Sequence, residues 1–341
     1  MAPVWLDALR AHDDVTVVGV VDIDPARGES FARAAGLDVP TGFDLLSVIE
    51  RTEANLVIDV TVPSAHRDIA VTALAAGCDV LGEKPLATTI EEASAIVDAA
   101  DAAGRVHAVM QNRRYLRSML GLRDMVASGV VGDTSLVAVD FLLGAHFGGF
   151  RDEMDSPLIL DMAVHTFDQA RFITGADAVR VSCTELDPPG SWFAGAAAAV
   201  CTFWMSDGSI LSYRGSWLAE GGPTTWEGSW RVMGASGTIF SDGAGAPFAH
   251  VVAPGDTSAF RTHRRVEGTT PPLEREGHEG CVDDMLGCLR SGRRPQTDCH
   301  DNIKTLAMVC AAIESSRSGA PVDVAGPGEH TGHRPTTGQS T

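Results

Sequence analysis

The chain has 341 residues, 44% of them hydrophobic and 21% charged, with a formal net charge of −19 at pH 7. That length allows two domains with cores of their own, and the acidity argues against nucleic acid and anionic membranes as partners. No apolar run approaches the roughly 20 residues that cross a bilayer. The start does not resemble a signal peptide and the seven cysteines form no CxxC pair, so we expect reduced thiols in a cytoplasmic protein.

Short apolar strands alternate with helices through the first 110 residues. The pattern predicts strands over 15–21, 56–62, 78–81 and 106–110, with helices over 26–35, 63–77 and 89–103 between them. This alternation is typical of βαβ units and a parallel sheet.

The acid that ends the first of these strands is Asp22. At this position of a dinucleotide fold a carboxylate commonly accepts hydrogen bonds from the adenosine ribose, and it repels a 2′-phosphate. Asp22 therefore favours NAD over NADP. The alternative is that Asp22 or Asp24 only caps the following helix, and the two interpretations are about equally weighted.

A dinucleotide fold should begin with a strand and a GxGxxG turn whose amides hold the pyrophosphate, and the sequence has neither. Loss of that first strand would leave the middle of the sheet unfilled. We therefore expect that Met1 is an internal methionine of a longer chain. The alternative is a genuine loss of the strand together with cofactor binding.

The segment Gly82-Glu83-Lys84-Pro85-Leu86 follows a predicted strand and precedes a predicted helix. Parallel sheets bind ligands just beyond the carboxyl ends of their strands, so Lys84 is expected to project into that crevice. Pro85 biases the residue before it towards an extended backbone, which fixes the direction of the lysine. The alternative, a lysine in an ordinary strand-to-helix turn, has about equal weight from this segment alone.

A helix predicted after the glycine-rich loop carries Asp161, His165 and Asp168 at i, i+4 and i+7. Residues with this spacing share one helix face. The set is consistent with a catalytic histidine oriented by carboxylates, with a metal site, or with a structural polar network. No further histidine or cysteine stands at characteristic ligand spacing, so we predict no metal.

Beyond residue 198 the hydrophobic pattern changes to period two. Segments 200–205 and 210–217, joined through Asp207-Gly208, predict a β-hairpin, and further strands are expected over 230–234 and 237–240. Five of the six tryptophans lie between 192 and 230, where core or interface roles are favoured over stacking on a sugar. Helices are predicted over 279–289 and 302–317, and the tail from 326 is expected to be disordered.

Seven motifs in order along the chain resemble the Gfo/Idh/MocA oxidoreductases, the glucose–fructose oxidoreductase and inositol dehydrogenase family. They are Val20-Val21-Asp22-Ile23-Asp24-Pro25, Val62-Pro63-Ser64-Ala65-His66, Gly82-Glu83-Lys84-Pro85-Leu86, Asn112-Arg113-Arg114-Tyr115, the segment from Leu160 to Asp168, Gly234-Ala235-Ser236-Gly237-Thr238 and Gly292-Arg293-Arg294-Pro295. The combination of Glu-Lys-Pro with Asp-x-x-x-His is fairly specific.

The resemblance implies an α/β fold with a Rossmann domain, incomplete at its start, over 1–112. It also implies an α+β domain with a large open antiparallel sheet over 113–325, before a tail over 326–341. The sheet would form a dimer or tetramer interface. The implied catalytic residues are Lys84, Asp161 and His165, and the implied cofactor-binding residues are Asp22, Thr61, Pro63, His66, Glu83, Lys84, Asn112 and Arg113.

Our leading hypothesis is NAD-dependent hydride transfer at a secondary hydroxyl or ketone of a sugar or polyol. In it His165 is the base, Asp161 orients it, and Lys84 stabilises alkoxide charge. Two alternatives stay open. One is a non-catalytic sugar-binding or regulatory protein that has lost its cofactor, and the other is an NAD-assisted glycosidase.

Overall fold

The computed structural model describes residues 1–324, so the tail predicted to be disordered lies outside the described residues. The first half consists of short parallel strands joined by helices, as the alternating pattern predicts. In chain order its elements are α1 (Ala2–Arg10), β1 (Val20–Val21), α2 (Pro25–Ala34), β2 (Thr41–Gly42), α3 (Leu45–Thr52), β3 (Leu56–Asp59), α4 (His66–Ala75), β4 (Asp79–Gly82), α5 (Ile90–Ala103) and β5 (His107–Val109).

These strands form two separate parallel sheets, β1-β2 and β3-β4-β5. A Rossmann sheet has the strand order 3-2-1-4-5-6, and the two sheets match it with the position of strand 1 open. The strands that border the open position, β1 and β3, are mostly half-buried, whereas β4 and β5 are almost fully buried. Of the strand predicted over 15–21, only Val20–Val21 forms, because a strand needs a hydrogen-bonded neighbour and β1 pairs on one side only.

The second half is built on one large sheet with helices on its inner face. Its elements are α6 (Arg117–Ala127), β6 (Thr134–Leu142), a π-helical segment (Leu158–Ala163), α7 (Val164–Thr174), β7 (Ala178–Leu186), β8 (Ala198–Met205), β9 (Ile210–Ser216), β10 (Ser229–Gly234), β11 (Gly237–Ser241), β12 (Phe248–Val252), β13 (His263–Glu267), α8 (Gly277–Ser291), α9 (Cys299–Ser318) and β14 (Val322–Asp323).

Within residues 1–324 this sheet has nine strands in the order β13-β12-β11-β10-β6-β9-β8-β7-β14. The predicted hairpin is present as β8 and β9, but β9 pairs with β6 in parallel. The expected large sheet is present and its other pairings are antiparallel, but the parallel pairing of β6 with β9 makes it a mixed sheet. Period-two alternation shows which residues face the core, but it does not give the direction of a strand's non-sequential neighbour.

The two C-terminal helices tie the halves together. Cys299 and Ile303 of α9 belong to the same apolar cluster as residues of α4 and α5, while Met285 of α8 packs with Trp5 of α1. Farther along α9, Met308 contributes to the core beneath the large sheet. Because α8 and α9 pack into the apolar clusters of the first half, the structure does not separate the two halves at residue 112. The division into two domains at that residue remains a prediction. Among the described residues, no helix has the length and apolar character to span a bilayer.

Candidate active site

Lys84 and Asp161, which are 77 positions apart, meet at the carboxyl end of β4. The Lys84 ammonium donates hydrogen bonds of 2.7 Å to the Asp161 main-chain oxygen and 2.9 Å to Oδ1 of its carboxylate. Both side chains are mostly buried, with 17% and 15% of their surface exposed. The Lys84–Pro85 peptide bond is cis. A lysine ammonium carries three N–H donors, so two of them hold Lys84 in place and a third can be directed to a ligand.

Asp161 also binds a residue that the sequence patterns did not single out. Its second oxygen, Oδ2, accepts a hydrogen bond of 2.7 Å from Nε of Arg151, in a 3₁₀ turn (Gly149–Arg151) of the glycine-rich loop. Burial opposes ionisation of Asp161, but Lys84 and Arg151 outweigh it and hold the carboxyl pKa below its usual value. Asp161 is therefore an ionised carboxylate that fixes Lys84 and the loop.

His165 lies on α7, one turn after Asp161, and is buried. Its Nδ1 has no hydrogen-bond partner among the described residues, so Asp161 binds Lys84 and Arg151 and does not orient the imidazole. Burial, together with the charges of Arg113, Lys84 and His278, lowers the His165 pKa well below 6.5. The imidazole is thus neutral at pH 7. Since Nδ1 is buried, Nε2 is the nitrogen that a substrate hydroxyl would have to reach.

Asn112 and Arg113 lie in a 3₁₀ turn after β5 (Asn112–Tyr115) and point to the second half of the chain. The buried Arg113 donates to the Trp226 main-chain oxygen and, at 3.4 Å, to Sδ of Met162. Burial lowers its pKa to about 10 against the opposing charge of Glu227. Asn112 Nδ2 lies 3.2 Å from Nδ1 of His278, at the start of α8. Both residues therefore border the catalytic group.

Asp168, the third polar residue of the predicted helix face, does not join the site. It is buried and accepts two hydrogen bonds, of 2.7 and 2.6 Å, from the Arg114 guanidinium, and one of 3.0 Å from Thr305. Arg114 also contacts Asp301 at the N-terminal end of α9. The π-helical segment before α7 adds residues to the turn and rotates the positions before and after it, so Asp161 and Asp168 face different partners. The contacts of Asp168 are those of a satisfied structural network, and its structural role remains a prediction.

Asp22 and Asp24 divide the two roles that the sequence left open. Asp24 caps α2, since its Oδ1 accepts a hydrogen bond of 3.0 Å from the Ala26 amide. Asp22 stands at the carboxyl end of β1, and its Oδ1 accepts from the Asp24 amide at 2.9 Å. The capping role falls to Asp24, and Asp22 is left at the position that a ribose-binding acid requires.

The loop after β3 carries three further residues predicted to bind a cofactor. Thr61 is exposed, and its hydroxyl donates to Oδ1 of Asp59 at 2.6 Å. Pro63 begins a 3₁₀ turn (Pro63–Ala65). The buried His66 ring lies between the main-chain oxygens of Pro85, at 2.7 Å, and Thr61, at 3.3 Å. His66 therefore holds this loop against the one that carries Lys84, and direct contact of these residues with a cofactor remains a prediction.

Glu83 is buried beside Lys84 and accepts a hydrogen bond of 2.7 Å from the indole N–H of Trp5. This bond fastens α1 to the loop after β4. No local pattern predicts this bond, because the two residues are 78 positions apart.

Comparison with known proteins agrees with this geometry. Residues 1–111 match the oxidoreductase family with an NAD-binding Rossmann fold, and residues 119–240 match the GFO/IDH/MocA C-terminal domain. The chain belongs to the Gfo/Idh/MocA oxidoreductase family.

Individual relatives are distant. The chain is 25% identical over 335 residues to a D-apiose dehydrogenase of Paraburkholderia graminis, covering 94% of this chain and 86% of that protein. It is 32% identical over 188 residues to a 1,5-anhydro-D-fructose reductase of Ensifer adhaerens, covering 52% and 55%. An oxidoreductase from Agrobacterium radiobacter, solved in complex with NAD⁺, L-tartaric acid and magnesium, superposes with a TM-score of 0.82 at 22% identity over 95% of both chains. At that identity the superposition shows the fold.

The described residues fit the two ends of the NAD that this family binds. Asp22 follows β1, and Lys84, Asn112 and Arg113 follow the carboxyl ends of β4 and β5, so these are the residues that would hold the adenosine ribose and the nicotinamide of a bound NAD. The pyrophosphate cradle of a GxGxxG turn is not in the sequence, and its place in the sheet order is the open position between β1 and β3.

Proposed function

We propose that this protein transfers a hydride between NAD and a secondary hydroxyl or ketone of a sugar or polyol. The observation that carries the proposal is the buried Lys84–Asp161 pair beside a neutral histidine. These groups suit removal of a hydroxyl proton and stabilisation of the oxygen left behind. The D-apiose dehydrogenase and 1,5-anhydro-D-fructose reductase among the relatives support a carbohydrate substrate.

In the oxidation direction, Nε2 of His165 accepts the proton of the reacting hydroxyl, for which the lowered pKa keeps it unprotonated. Lys84 donates a hydrogen bond to the same oxygen as negative charge develops there. Asp161 and Arg151 hold the ammonium in position. Bound NAD⁺ supplies the acceptor for the hydride of the carbinol carbon, so a ketone, NADH and one proton result.

The outer face of the large sheet is the surface through which we propose that the chain forms a homo-oligomer. Val200 and Trp204 of β8 lie on this face with 43% and 39% of their surface exposed. Apolar side chains at the centre of an interface are typical of homodimers. A Trp204→Glu variant that keeps the wild-type mass in light scattering would contradict this interface.

We place the enzyme in the cytoplasm because its seven cysteines are free thiols.

The test of the function is NADH formation from NAD⁺ with a panel of polyols and aldoses, followed by absorbance at 340 nm. The His165→Asn variant should reduce turnover about 100-fold, the lower range for loss of a general base. Turnover unchanged in that variant would contradict the proposal. Saccharide binding without NADH formation would instead support a non-catalytic sugar-binding protein.

A further inference from the structure

Two exposed aromatic side chains lie beside the catalytic group. Trp226 and Phe147 have 47% and 43% of their surface exposed, and their rings contact each other with centroids 6.3 Å apart. Both rest on the buried Trp217, at 5.8 and 5.2 Å. Aromatic surface left in water is unfavourable, whereas the apolar CH face of a pyranose ring covers such a surface well.

Both aromatics are connected to the catalytic residues. The Trp226 main-chain oxygen accepts a hydrogen bond from Arg113, whose charge acts on His165. The guanidinium of Arg151, which binds Asp161, lies 5.3 Å from the centroid of the Phe147 ring. A ligand held at Lys84 and His165 can therefore continue across these rings.

Trp226 also lines a surface groove of about 310 Å³. The other lining residues include Gly144, Gly221 and the exposed Glu220. Glu220 is held by His146, at 2.9 Å, whose ring stacks on Trp192 with centroids 3.8 Å apart. Gly144 permits the close approach of the two loops, since a Cβ there would lie 3.1 Å from the main-chain oxygen of Ala219.

We infer that this groove is a second saccharide subsite and that the substrate is a glycoside of at least two rings. One ring would react at Lys84 and His165 while its neighbour stacks on Trp226 and donates a hydroxyl hydrogen bond to Glu220. Among residues 1–324, those that line the groove include a carboxylate and no lysine or arginine, so the groove suits a neutral sugar ring better than a phosphate-bearing group. This inference rests on the proposed function.

The test compares D-glucose and D-galactose with the disaccharides cellobiose and lactose. Trp226→Ala should raise KM for an oxidised disaccharide about tenfold, which corresponds to the upper range for one aromatic contact, and leave the monosaccharide KM within twofold. Trp226→Phe should restore most of the loss. Phe260→Ala, which removes an exposed aromatic that does not line the groove, is the control and should change neither value.

A cofactor-independent readout separates this inference from the proposed function. Cellobiose should quench the Trp226-dependent part of the intrinsic fluorescence, a signal that is lost in Trp226→Phe. If no sugar is oxidised, the proposed function fails, and the fluorescence titration alone decides the subsite. The subsite would be overturned if Trp226→Ala raised KM equally for mono- and disaccharides, or if only monosaccharides were oxidised. It would also be overturned if cellobiose caused no quenching, or if Trp226→Ala changed the oligomeric state.

Discussion

Replacement of Asp168 by asparagine distinguishes a structural carboxylate from a catalytic one. Asp168 is 1% exposed and neutralises Arg114 through two short hydrogen bonds. Removal of one partner of a buried pair leaves an uncompensated charge and costs about 3–5 kcal/mol. Arg114 retains Asp301 and the Gln296 main-chain oxygen, so we expect the lower end of that range, about 3 kcal/mol.

The assay is equilibrium urea unfolding, in which the midpoint should fall while the slope is unchanged. Asp140→Asn is the matched control, since Asp140 also binds an arginine through two hydrogen bonds of 2.6 Å. Its partner Arg214 is 64% exposed, so this change should cost about 0–1 kcal/mol. At temperatures where it is folded, Asp168→Asn should keep wild-type kcat. A stability loss below 1 kcal/mol together with a large loss of kcat would refute the structural assignment.

Three further predictions concern the reaction. Lys84→Ala should lower kcat about 100- to 1000-fold, as for loss of an oxyanion donor, without changing the NAD Kd in calorimetry; normal turnover would exclude Lys84 from the chemistry. Because the His165 pKa lies well below 6.5, kcat/KM should stay level as pH falls through 6.5 and decline only in more acidic solution. Arg113→Gln removes a positive charge, so it should raise the His165 pKa and move the decline to higher pH, whereas Arg113→Lys keeps the charge and should not. Identical pH profiles of kcat/KM for the wild type and Arg113→Gln would contradict the role of this charge. Asp22→Ala should weaken NAD binding and improve acceptance of NADP, whereas Asp24→Ala should cost about 1 kcal/mol of stability as a lost helix cap. Weaker NAD binding in Asp24→Ala together with a stability loss in Asp22→Ala would show that the two roles are assigned to the wrong residues.

Local patterns predicted most elements of this fold. Helix boundaries followed capping residues, as Thr89 and Gly104 at the two ends of α5 show. The hairpin of β8 and β9 followed from alternation and its Asp-Gly turn. The prediction of a strand over 15–21 was mostly wrong, since only Val20–Val21 forms one. A strand needs a neighbour to pair with, and local sequence does not show whether one is present. The parallel contact between β6 and β9 was missed for a similar reason.

The contacts among the predicted site residues could not be read from the sequence. Lys84, Asp161 and His165 could be chosen from their motifs, yet the bond between Lys84 and Asp161 spans 77 positions and depends on how the two halves pack. The π-helical segment before α7 could not be seen in the spacing, so Asp168 was placed on the wrong face. Arg151 and Trp226 lie in loops, whose conformation follows no periodic pattern. The glycine-rich composition around residue 149 was the only signal for Arg151, and the cluster of tryptophans over 192–230 was the only signal for Trp226.

Transfer of deuterium from a carbinol carbon to NAD⁺ tests the central claim most directly. The wild-type protein is incubated with NAD⁺ and a polyol deuterated at its secondary carbons, and the mass of the reduced cofactor is measured beside the NAD Kd. We expect deuterated NADH from the wild type and about 100- to 1000-fold slower formation of it by Lys84→Ala at equal NAD occupancy. The central claim would be contradicted if both proteins formed deuterated NADH equally well. It would also be contradicted if a wild-type protein saturated with NAD⁺ formed none with any polyol of the panel.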